Sequence, residues 1–220
     1  MKLRTVMLVG TLLVLLGAAR ALAEEAGRRY VETHGDRRQV VVYGIVPSAG
    51  GFVVSSISAT STEVGRWVSG TGLVTWQQKR PAEGTDLSGA RSGSVIRFTG
   101  TWRGKPVTRD VGIDGAPWYQ IFGPGMADLL PAGADRQEFW VVNPDDLTPH
   151  KMLVRRWGRQ SIDVNGQSVS AERIHFSPAG ALAPFWGADF WYREADMAWV
   201  YSRLPEGGGV TVTTIESLSP

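Results

Sequence analysis

The sequence predicts a mainly β protein of the antiparallel barrel or sandwich kind. Short segments rich in β-branched and aromatic residues follow one another along the chain, separated by Gly, Pro, Asn and Asp. Long stretches with helical periodicity are absent, so alternating strand–helix units are not expected. The chain has nine Trp and no Cys, so the burial of aromatic rings, rather than disulfide bonds, must supply most of the stability.

The first 23 residues have the pattern of a secretory signal. Lys2 and Arg4 precede an apolar run over residues 6–19, and Ala21 and Ala23 supply the small residues of a cleavage site. The run is shorter than a membrane span of about 20 residues, so we expect cleavage before Glu24, no stable membrane span and a periplasmic or secreted protein. Residues 24–220 are then expected to form one domain, of a size that can bury a sizeable core.

Removal of the signal changes the charge balance of the chain. It takes away Lys2, Arg4 and Arg20, so that 23 basic residues become 20 against 21 acidic ones. The basic residues that remain are interspersed along the strands rather than clustered. We therefore expect no nucleic-acid partner.

In the first half of the domain, turn residues separate the predicted strands. Residues 39–46 and 52–61 flank a turn at 47–51, and residues 72–79 form a further strand. Residues 80–93 have the least apolar composition and are expected to form a mobile loop. Residues 94–102 alternate in polarity up to a turn at 103–106, which predicts a hairpin.

The alternation stops between residues 114 and 131, where only a short helix is expected, over residues 126–130. Strands are predicted again at residues 138–142, 150–157 and 160–164. The Asn165-Gly166 turn favours a type I′ hairpin into residues 167–176, and residues 190–193, 197–203 and 210–218 complete a meander.

Three groups of residues resemble a known family. They are Trp118-Tyr119-Gln120 after the strand end at residues 113–115, Phe139-Trp140 before Asn143-Pro144, and the run at residues 189–196 with Val200-Tyr201 on the next strand. This order resembles an exported half-barrel related to the lipoprotein-carrier fold, which several domain families of unknown function in Gram-negative bacteria share. The resemblance covers nearly all of residues 24–220.

The resemblance implies a single strongly curved antiparallel sheet, a partly closed barrel with one or two short helical segments over its open side. The concave face of the carrier relatives accommodates acyl chains, so the resemblance makes a lipid or another hydrophobic small molecule the expected partner. The alternative is an envelope scaffold with a filled, Trp-rich core that binds a protein partner.

The sequence assembles no catalytic or metal-binding set. His34, His150 and His175 lie in separate segments without metal-ligand spacing, and nucleophile and phosphate-loop motifs are missing. Carboxylates occur together at residues 145–146 and 189–196, as a hydrolase would require, but both groups adjoin turn residues. We therefore expect a non-catalytic protein without metal or cofactor, and keep a carboxylate hydrolase as a third alternative.

The irregular, apolar segment at residues 117–130 supplies the predicted ligand-binding residues. An apolar segment outside the sheet is expected to cover the concave face, and aromatic rings and Met suit irregular apolar ligands. The candidates are Trp118, Tyr119, Phe122, Met126 and Leu129.

Overall fold

The computed structural model describes residues 27–130 and 132–218, so the predicted signal at residues 1–23 lies outside the described part. Strands make up 65% of the structure and 3-10 turns 6%, which confirms a mainly β fold. The strands are β1 Arg28–His34, β2 Arg37–Ser48, β3 Gly51–Ile57, β4 Thr62–Val68, β5 Gly72–Arg80, β6 Thr85–Ser92, β7 Val95–Trp102, β8 Lys105–Gly112, β9 Arg136–Val142, β10 Pro149–Val164, β11 Gln167–Pro178, β12 Ala188–Arg193, β13 Trp199–Glu206 and β14 Gly209–Ile215.

All fourteen of these strands belong to one antiparallel sheet that is not closed into a barrel. Each strand pairs with its neighbours in sequence, except that β1 pairs with β14 and leaves β8 and β9 at the two edges. The prediction of a single antiparallel sheet with short helical segments is thus confirmed. The 3-10 turns are Pro81–Glu83, Met126–Leu129 and Gly180–Phe185.

Side chains join the two edges of the sheet at one end. The Trp102 indole on β7 donates to the Pro144 carbonyl at 3.0 Å, and the Arg109 guanidinium on β8 donates to the Asp146 carbonyl at 2.8 Å. Both carbonyls belong to the turn that follows β9. The ends of the sheet are therefore brought together without a hydrogen-bonded ladder between β8 and β9.

Hairpin turns account for much of the sheet order. Arg103 and Gly104 both have positive φ, as do Asn165 and Gly166, which is the geometry of type I′ turns. Such turns match the twist of the strands they connect. Consecutive strands therefore pair directly. The core lies on one face of the resulting sheet, which is called the inner face below.

The expectation of a mobile loop at residues 80–93 is wrong. This stretch contains a 3-10 turn and then β6, which pairs with β5 and β7 along its length. Thr85, Leu87 and Gly89 alternate toward the inner face, where all three are buried. Glycine suits position 89 because a Cβ there would lie 2.9 Å from the rings of Phe98 and Trp118.

Candidate binding site on the inner face

The segment at residues 117–119 bridges two distant parts of the sheet. The Leu73 amide on β5 donates to the Trp118 carbonyl at 2.7 Å, while the Tyr119 amide donates to the Trp140 carbonyl on β9 at 2.8 Å. The Trp140 amide donates in turn to the Pro117 carbonyl at 2.7 Å. Residues 117–119 therefore span the opening between β5 and the β9 edge.

Trp118 and Gln120 hold this bridge in the core. The Trp118 indole donates to the Gln120 side-chain oxygen at 3.1 Å, and that oxygen also accepts from the Val142 amide at 3.1 Å. The Gln120 amide group donates back to the Val142 carbonyl. These polar atoms are buried, so each needs the partner it has.

Two buried tyrosine hydroxyls fasten the chain beyond the bridge. Tyr192 on β12 donates to the Gly123 carbonyl at 2.6 Å, and Tyr119 donates to the Pro124 carbonyl. Burial raises the pKa of both phenols well above the ordinary value. Both hydroxyls therefore keep their protons and remain donors.

Glycines let the same stretch approach aromatic rings closely. Gly123 has φ +116°, and a Cβ there would lie 2.5 Å from the Trp199 ring. Gly125 has φ +75°, and a Cβ there would lie 2.8 Å from the Phe52 ring. A side chain at either position would force this stretch away from the sheet.

Residues 123–130, called the cover segment below, pack on the inner face through side chains. The side chains of Met126 and Leu129 are buried. The amides of Asp128 and Leu130 donate to the carbonyls of Gly125 and Ala127, so these backbone hydrogen bonds stay within the segment. Within the described chain, the cover segment therefore has no strand pairing to the sheet.

The structure brings the five predicted ligand-binding residues together on the inner face. Trp118, Tyr119, Met126 and Leu129 are at most 2% exposed, and Phe122 is half-buried with its ring stacked on Phe190. In this state their side chains fill the interior. Their contact with a ligand stays a prediction.

Sequence reasoning missed a polar group at one end of the interior. Glu63 on β4 accepts hydrogen bonds from the Gln78 amide at 2.6 Å and from the Trp76 indole at 3.4 Å. On the neighbouring strands, the Tyr43 hydroxyl donates to Glu32 at 2.8 Å. Glu63, Gly65 and Trp67 occupy every second position of β4, so their side chains share one face of the sheet. This spacing was the signal that could have revealed an acidic group facing inward.

Burial governs the ionisation of this polar group. It raises the pKa of the Glu63 carboxyl above its ordinary value, and it raises the pKa of the Tyr43 phenol as well. Glu32 also lines a cleft of about 560 Å³ at the rim of the sheet, together with His34, Gln39 and Thr211. The interior is thus apolar below the cover segment and polar toward this rim.

The carboxylates weighed for hydrolysis are spread over the molecule and lie in ion pairs, except that Asp146 accepts from the Thr148 amide at 2.8 Å. Asp145 pairs with Arg80 and Arg103, and Asp196 pairs with Arg193 at 2.7 Å. Glu194 pairs with Arg159 at 2.6 Å.

Asp189 and His175 form a separate pair on the outer face. The carboxylate of Asp189 accepts from Arg173 at 2.8 Å and contacts the His175 ring nitrogen at 2.9 Å. Burial acts to raise the pKa of Asp189, but the hydrogen bonds from His175 and Arg173 outweigh it and lower that pKa. The carboxylate therefore stays ionised, which is the state expected of a structural ion pair.

Comparison with known proteins shows which solved structures share this fold. No protein-family model matches the chain, and no curated protein matches it in sequence. Among solved structures, the chain is similar to a β-barrel-like protein of the domain of unknown function DUF1849 from Brucella abortus, with a TM-score of 0.56 and 10% identity over 86% of this chain and 94% of that one. The hypothetical lipoprotein YmcC from Escherichia coli (K12) aligns with a TM-score of 0.37 and 10% identity over 87% of each chain.

The similarity to the DUF1849 protein shows a shared fold. The predicted resemblance to bacterial half-barrel families of unknown function is confirmed at that level. Separately, residues 27–130 and 132–218 contain no helix long and apolar enough to span a membrane.

Proposed function

We propose that this chain is an exported, non-catalytic protein that binds an apolar or amphipathic, lipid-like small molecule on its inner face. The guest lies between the sheet and the cover segment, in the space that Phe122, Met126 and Leu129 occupy when no guest is bound. Export follows from the signal pattern at residues 1–23, which directs the mature chain to the periplasm or the exterior.

The observation that carries this proposal is the way the cover segment is attached. Side-chain packing and the hydroxyls of Tyr119 and Tyr192 hold it on the inner face, rather than a hydrogen-bonded ladder. Such a segment leaves without breaking the sheet, and its departure exposes the apolar surface around Phe190 and Trp199. Each methylene of a guest that is buried there contributes about 0.8 kcal/mol.

The polar end of the interior favours an amphipathic guest over a purely apolar one. Glu32 lines the cleft at the rim, and its carboxylate accepts from the Tyr43 hydroxyl, whose ring packs edge-on against Trp199. A guest whose chain lies under the cover segment places its head group near this cleft. Arg37 and Arg38 line it as well as Glu32, so a head group that carries both hydrogen-bond donors and acceptors is the best match.

The test is native mass spectrometry of the protein purified from its own cell envelope, followed by extraction and identification of any bound compound. A retained lipid-like molecule supports the proposal. Tyr192→Phe should bind a fluorescent fatty-acid analogue more tightly than the wild type, because it weakens the closed state. If the native protein carries no guest and both proteins fail to bind the analogue, the proposal is wrong.

A second candidate is an envelope scaffold that binds a protein partner. The observation that favours it is that Trp118, Tyr119 and Met126 leave the interior filled. Cross-linking in intact cells should then capture a specific envelope protein, and the purified protein should carry no small molecule.

A further inference from the structure

An apolar loop stands on the outer face of the sheet, between β11 and β12. Residues 178–187 contain only Pro, Ala, Gly, Leu, Phe and Trp, so ten consecutive positions carry no charged, hydroxyl or amide side chain. Phe185 near the end of the loop is 83% exposed. Leaving a large aromatic ring in water is unfavourable, so the exposed Phe185 ring in an apolar loop indicates a contact surface.

A row of basic residues crosses the outer face beside this loop. Strand register places Arg136 opposite Arg155, Arg155 opposite His175, and Asp189 opposite Arg203. Asp189 is neutralised by its own partners, whereas none of the three arginines has a side-chain partner among the described residues. The row therefore presents three unpaired positive charges to solvent.

The loop and the row adjoin each other. Gly187 lies close to His175, because a Cβ added at Gly187 would lie 2.5 Å from the His175 ring. Between loop and row lies a cleft of about 540 Å³, lined by Arg155, Trp157 and Phe185 among others. Trp157 is 51% exposed and stacks on the His175 ring with 4.1 Å between centroids.

We propose that residues 178–187 and the row formed by Arg136, Arg155 and Arg203 dock the protein on the surface of an anionic lipid bilayer. Exposed Phe and Trp rings bury themselves at the boundary between head groups and acyl chains, and nearby arginines bind anionic head groups. The Phe185 ring is 83% exposed, and the cleft that it lines also reaches Arg155, so an extended surface that offers both apolar depth and negative charge matches this face. This docking surface lies on the face opposite the cover segment and is independent of the proposed guest.

The test is co-sedimentation of the chain that begins at Glu24, which contains every strand of the sheet, with two kinds of vesicle. One contains phosphatidylglycerol and phosphatidylcholine, and the other contains phosphatidylcholine alone. We expect binding to the anionic vesicles that weakens as salt rises. Phe185→Ser should weaken it about tenfold, and Arg155→Gln and Arg203→Gln about fivefold each.

Matched controls change similar residues elsewhere on the surface. Val95→Ser removes another exposed apolar side chain, and Lys105→Gln removes an exposed positive charge that has no side-chain partner among the described residues. Both should bind anionic vesicles like the wild type. Thermal unfolding confirms that each variant is folded.

Three outcomes overturn the proposal. One is that the wild type does not bind anionic vesicles. Another is that Phe185→Ser and Arg155→Gln bind as tightly as the two controls. The third is that soluble glycerol phosphate at the same phosphate concentration displaces the protein completely, which would indicate a site for a free small anion.

Discussion

Replacing Tyr192 by phenylalanine removes one of the two hydroxyl groups that hold the cover segment while leaving the ring in the core. The lost hydrogen bond to the Gly123 carbonyl is 2.6 Å long and buried. Its loss costs about 1 kcal/mol directly, and the carbonyl that is left without a partner adds to that cost. A total of about 1–2 kcal/mol raises the open fraction of the cover segment roughly 5- to 30-fold.

Hydrogen–deuterium exchange locates this effect. The amides of residues 126–130 should exchange faster in Tyr192→Phe by the factor by which the open fraction rises. The exchange rates of the β11 amides should rise only as much as the loss of global stability requires. Urea unfolding gives that global change separately.

Tyr30→Phe is the matched control, because Tyr30 is also buried and its hydroxyl donates to the Trp199 carbonyl at 2.8 Å. That bond lies within the sheet, so its loss should lower global stability without a selective change at residues 126–130. If the two variants show the same exchange pattern, the cover segment does not open separately from the sheet, and the reasoning fails.

Two further predictions concern ionisation and export. Because burial raises the pKa of Glu63, its protonated form favours the folded state, and this contribution is lost as pH rises through the folded pKa. Urea unfolding from pH 4 to 8 should therefore show Glu63→Gln gaining stability relative to the wild type as pH rises; a difference that is the same at every pH would contradict this. Mass spectrometry of the exported protein should show a chain that begins at Glu24, and a mass that includes residues 1–23 would refute cleavage there.

Local patterns in the sequence were sufficient to predict the class of fold. Alternation and type I′ turn signals such as Asn165-Gly166 depend on neighbouring residues, so they predict strands and hairpins without knowledge of the rest of the molecule. The prediction failed at β6, whose Gly, Ser and Ala residues have little intrinsic preference for a strand. Pairing with β5 and β7 on both sides stabilises that strand, and this depends on residues elsewhere in the sheet.

The candidate site was predicted in part for the same reason. An apolar stretch that lacks alternation predicted that Trp118, Tyr119 and Met126 lie outside the strands, and the structure places them together. The anchoring of Gly123 by Tyr192 joins residues 69 positions apart, and no local pattern predicts such a contact. Glu63 was missed because an isolated acidic residue in a strand is ordinarily solvent-facing.

By itself, the sequence determined a β-rich chain with a signal pattern, turns at its Gly and Asn residues and an apolar segment at residues 117–130 outside the predicted strands. Only the tertiary structure decided which strands form the edges, which face buries Glu63 and Gln78, and where the unpaired arginines align. The physical reason is the separation in sequence over which each interaction acts. Turn geometry and side-chain alternation depend on a few neighbouring residues, whereas the pairing of β1 with β14 and the register across β9 to β13 depend on the whole sheet.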